Sequence, residues 1–107
     1  MNRQYIAEKF SVARRALMLI DSNDMESIGS IFHECSLAIS EIGSTKLQGN
    51  EDTWVKKLKI LMDTTGLNDP NGIGLYQVRA GQLTCEQKDE FASLIDDLAD
   101  SFKSYEK

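Results

Sequence analysis

Apolar residues recur at helical intervals through most of the chain. In the clearest stretch Met25, Ile28, Phe32, Cys35, Ile39 and Ile42 are 3, 4, 3, 4 and 3 positions apart, which holds them on one stripe of a helix. Ile6, Phe10, Ala13, Leu17 and Ile20 repeat the pattern at 4, 3, 4 and 3 and predict a first helix over about Asn2–Ile20. A third helix carries Trp54, Leu58 and Leu61 and stops before Gly66, and a fourth presents Phe91, Leu94, Ile95, Leu98, Phe102 and Tyr105 inward. No such stripe is buried by its own helix. The pattern therefore predicts one all-α domain over residues 1–107, an up-and-down four-helix bundle in which each helix flanks the next.

Polar residues mark the helix ends. Asn23 with Glu26 three residues later suits the start of helix two, and Gly43 stands where a left-handed C-terminal residue is wanted. Ser44 to Gly49 form a polar connector with Leu47 as its anchor. Asn50 is expected to cap helix three, with Glu51 and Asp52 at its positive end. Thr84 and Gln87 make a capping box for helix four. Between helices three and four lies a long, partly ordered connection, residues 63–83. Asn68-Asp69-Pro70-Asn71-Gly72 is turn chemistry, but Ile73, Leu75, Tyr76, Val78 and Leu83 are too apolar for a free linker. The segment is expected to fold back on the bundle through a helical turn or a short extended piece, as a cover for a helix face or as a binding loop.

Composition narrows the class. Hydrophobic residues make up 41% and charged residues 27%, and no apolar run approaches the ~20 residues that span a bilayer, so a membrane protein is not expected. Glu8, Lys9, Arg14 and Arg15 interrupt the first segment, unlike a secretion signal, and the expected location is cytoplasmic. Cys35 and Cys85 form no metal or disulfide spacing and are expected to be free thiols. The net charge of −5 disfavours nucleic acid as a partner, and Lys56, Lys57 and Lys59 beside Trp54 read as a solvated helix face. Residues 1–20 carry four bases and one acid, 21–52 one base and seven acids, 53–62 three bases and no acid, and 84–107 three bases and seven acids. Alternating signs place attraction between successive helices.

Candidate chemistry is sparse. His33, the single histidine, points away from the core stripe of helix two and has no ligand partners at metal spacing. Leu67 to Val78 matches a calcium loop only at Asp69, Asn71 and Gly72, and Gly72-Ile73-Gly74 lacks the lysine of a phosphate loop. Cys85 sits in the first turn of a helix, where amide dipoles favour a thiolate, but Glu86 opposes it. No metal and no cofactor is implied, and an enzyme is not favoured.

Two surface features stand out. Glu86, Asp89, Glu90, Asp96, Asp97 and Asp100 cluster on the outer side of helix four around Ser93; the like-charged pairs four apart each cost the helix about 0.2–0.5 kcal/mol, which a basic partner would relieve. Tyr5, Val12 and Leu19 form a second apolar line on helix one, with Leu37 on the outer side of helix two, to be covered by the long segment or by a second subunit in a homodimer. The sequence therefore predicts a small acidic, non-catalytic interaction protein such as an adaptor, inhibitor or antitoxin-like module that binds a basic protein partner. The alternative is a small-molecule-binding or thiol-dependent enzyme with a site under residues 63–83, near Cys85, Tyr76 and Arg79.

Overall fold

The computed structural model describes residues 2–19, 25–47, 49–70 and 72–104, except the side chains of Leu19, Met25, Glu26, Ser27 and Ser104. The described residues are all-helical in their regular structure and form five helices: α1 (Arg3–Leu19), α2 (Met25–Ile42), α3 (Asn50–Met62), α4 (Leu75–Gln82) and α5 (Cys85–Ser104). The four segments with apolar stripes are helices at nearly the expected bounds. The long connection corrects the four-helix expectation, because it contains a helix of its own. The expected Asn23 cap and the core places of Ile20 and Tyr105 lie outside the described residues.

The neighbour relations differ from an up-and-down bundle as well. α1 packs along both α2 and α5, α2 packs along α4, and α3 packs along α5 and touches α4. The helices thus close a ring in the order α1, α2, α4, α3, α5, with α4 wedged where α2 would have met α3. Phe32 of α2 reaches across the centre, edge-on to Phe91 of α5 at 4.9 Å and to Tyr76 of α4 at 6.1 Å. Phe10 of α1 meets Phe102 of α5 at 6.0 Å. Ile6, Phe10, Phe32, Cys35, Leu58, Ile95 and Leu98 are fully buried in the same core, and Leu47 anchors its connector there.

Local chemistry explains how α4 is held. The Asp69 carboxylate accepts the amides of Ile73 at 2.8 Å and Gly74 at 2.7 Å, so the acid that resembled a calcium ligand ties the turn before α4. Gly74 precedes α4 with φ +104°, a conformation that favours glycine. On α2, Gly29 permits the close approach: a Cβ there would lie 2.7 Å from the Gln77 side chain of α4. Arg79 donates through Nε to the Leu61 carbonyl at 2.8 Å and through Nη2 to that of Ile60 at 3.4 Å, capping the last turn of α3.

Two of the expected helix ends have their bonds in place. Thr84 and Gln87 exchange amide bonds at 3.1 and 2.9 Å, and the Gly43 amide reaches the Ile39 carbonyl at 3.0 Å with φ +55°. Asn50 does not cap α3. Gly49 takes the N-cap place without a side-chain bond, and Glu51 in the first turn is drawn into the protein by Arg3.

Candidate functional site

α1 and α5 run antiparallel, a pairing fixed by three contacts along their length. At one end the Arg3 guanidinium stacks over Phe102 at 4.3 Å and donates to Glu51 of α3 at 2.6 and 3.3 Å, while Ser101 donates to the same carboxylate at 2.6 Å. In the middle, Arg14 Nη1 donates to Asp96 Oδ1 at 3.1 Å and to Asp100 Oδ1 at 2.8 Å. At the other end, Leu17 and Met18 stand beside Ala92 and Ser93.

Two depressions adjoin α1, one in the groove between α1 and α5 and one mainly on α1 itself. One of about 380 Å³ is lined by Arg14, Leu17, Met18, Ala92, Ser93 and Asp96. The other, about 350 Å³, lies toward the start of α1 and is lined by Gln4, Ala7, Glu8, Ser11, Val12 and Arg15 of α1 with Lys103 of α5. Met18 is 80% exposed, and Leu17 beside it is half-buried against the core.

All six acids expected to face a partner, Glu86, Asp89, Glu90, Asp96, Asp97 and Asp100, are exposed on α5. They are not equivalent. Asp96 and Asp100 share Arg14, so the repulsion of this pair is relieved inside the chain, whereas Glu86, Asp89, Glu90 and Asp97 form no ion pair among the described residues. Hydrogen bonds to Asp100 and then Asp96 raise the Arg14 pKa above its ordinary value, against a smaller opposing effect of desolvation.

The second apolar line is divided. Val12 is exposed, Tyr5 and Leu37 are half-buried, and the side chain of Leu19 lies outside the described residues. Lys9 lies 5.4 Å from the Tyr5 ring centre and pairs with Glu34 of α2 at 3.3 Å, which accounts for part of the cover on Tyr5. Because α4 packs on α2 and α3, it leaves Val12 uncovered.

Charge alternation acts through α1, which pairs with α2 by Lys9 and with α5 by Arg14. It does not act through the lysines of α3, where the ion pair is Lys56 with Asp52 of the same helix at 3.0 Å.

A separate cleft of about 310 Å³ lies beneath α4, lined by Ser36, Ile39, Ser40, Lys59, Met62, Asp63, Thr64 and Tyr76. It brings in Tyr76, but Cys85 and Arg79 are not among its lining residues; Cys85 is exposed and Arg79 caps α3. Burial pushes the Cys35 thiol far above its ordinary range, with Glu34 adding to the shift. Among the described residues, no three His, Cys, Asp or Glu side chains converge as a metal site, and no helix is long and apolar enough to cross a membrane.

Arg14 and Met18 were not singled out from the sequence as site residues. Arg14 left a signal: it stands four residues after Phe10, on the core side of α1, where a cation requires a carboxylate across the interface. Met18, one position beyond the stripe residue Leu17, left none.

No family model, curated protein or solved structure matches this chain.

Proposed function

We propose that this protein is a small acidic, non-catalytic interaction module that captures a basic protein partner on the outer face of α5 and the adjoining edge of α1. The observation that carries the reading is the charge imbalance of α5: six exposed acids stand on one helix, and the paired ones share a single guanidinium from α1. A cationic surface would supply the missing charge, and the exposed Met18 beside Ala92 and Ser93 adds apolar contact area on that side.

The quadruple variant Glu86→Gln, Asp89→Asn, Glu90→Gln, Asp97→Asn tests it without disturbing the Arg14 bridge. A partner captured by the parent chain and identified by mass spectrometry should be basic, and its recovery should fall at least about tenfold with the variant. Undiminished capture would remove the acidic face from the reading. Tyr5, Val12, Leu19 and Leu37 remain the contact proposed for a second copy or for the partner's apolar side; Val12→Asp should then lower the solution mass or weaken capture.

The cleft beneath α4 supports a second reading, a small-molecule site at Tyr76, Lys59 and Asp63. A thiol-dependent activity would lie outside this cleft, at the exposed Cys85, and requires that thiol to alkylate at neutral pH faster than a free cysteine in an unfolded peptide; an ordinary rate argues against it.

A further inference from the structure

We infer that the α1–α5 groove receives one amphipathic helix of a basic partner, and that Arg14 holds the place of that helix's cation while the groove is empty. This rests on the interaction reading above and adds the form of the partner to it. The floor is apolar at the C-terminal end of α1, where Leu17, Met18 and Ala92 border the depression of about 380 Å³. Along the α5 edge, Asp89, Ser93, Asp96 and Asp100 follow at spacings of 4, 3 and 4, which keeps them on one stripe. The Arg14 guanidinium lines the same depression and sits across Asp96 and Asp100.

The size and pattern of the occupant follow. α1 has 17 residues and is about 25 Å long, so a helix of up to four to five turns can lie alongside it. An apolar residue of that helix would enter between Leu17, Met18 and Ala92. A lysine or arginine three or four positions on would then meet Asp96 or Asp100, the spacing at which side chains share a helix face. Arg14 competes for the same two carboxylates, so removing it should favour the partner.

Fluorescence anisotropy with a labelled leucine–lysine peptide of about 18 residues, patterned as an amphipathic helix, tests this against a scrambled isomer of identical composition. The patterned peptide is expected to bind about tenfold more tightly than the scrambled one. Ala92→Trp, which fills the depression without changing charge, should erase that difference. Asp96→Asn with Asp100→Asn should weaken binding several-fold and Arg14→Gln should strengthen it, with helix content unchanged by circular dichroism.

Equal binding of the two isomers would overturn the groove while leaving the acidic face in place, and no binding of either would overturn both. Weaker binding to Arg14→Gln would overturn the role given to Arg14. A parent mass of twice 12.0 kDa that Ala92→Trp reduces to one chain would assign the groove to a second copy and overturn the inference.

Discussion

Glu51 is 8% exposed, and its carboxylate is satisfied from two other helices, by Arg3 of α1 and Ser101 of α5. Removing one partner of such a group leaves the others facing an apolar boundary, which costs more than the intact cluster contributes. Glu51→Ala should lower unfolding stability by about 1–3 kcal/mol in urea titrations, and a double cycle with Arg3→Met should show the two effects to be non-additive. Asp63 offers a pH effect. Hydrogen bonds from the Thr65 hydroxyl and amide hold its carboxyl below the ordinary range, with a smaller contribution from Arg79. A depressed folded pKa contributes stability that is fully present above the unfolded pKa and is lost as pH falls through the folded one. Carboxyl NMR should place the Asp63 midpoint below that of the unfolded chain, and Thr65→Val should raise it and flatten the acid limb of the stability curve below about pH 4.

At the scale of elements, α4 is the helix with the most particular requirements. It has eight residues, far too few to persist alone, and its place depends on Asp69, on Gly29 and on the exchange in which Arg79 caps α3. Arg79→Met frees the Leu61 carbonyl and should cost about 1 kcal/mol. Hydrogen exchange should accelerate at Gln77 to Ala80 and at the end of α3, while α1 and α5 keep their protection. Equal acceleration in all helices would mean that α4 opens only with the whole domain. The other helices were legible as periodic stripes because each has at least three inward positions. α4 was not, because over two turns Leu75, Tyr76, Val78 and Ala80 match a helix, a strand or an apolar cover almost equally well.

For the whole molecule, the net charge of −5 matters through where it is concentrated. An acidic helix beside an exposed apolar edge attracts a cationic surface over roughly a Debye length, about 10 Å at 0.1 M salt. Partner capture should therefore weaken steeply between low and high salt, and the quadruple acid variant should lose most of that dependence. A salt-independent interaction would assign the contact to Met18 and Val12 instead. The sequence by itself determined that the domain is helical, which residues form most of its core, and that α5 carries an unbalanced acidic face, because helix periodicity and charge are read from spacing alone. The tertiary structure decided that α4 separates α2 from α3, that Glu51 faces inward, and that Arg14 bridges Asp96 and Asp100. Those outcomes depend on which helices become neighbours, and local spacing along a helix records which residues share a face but not what that face meets.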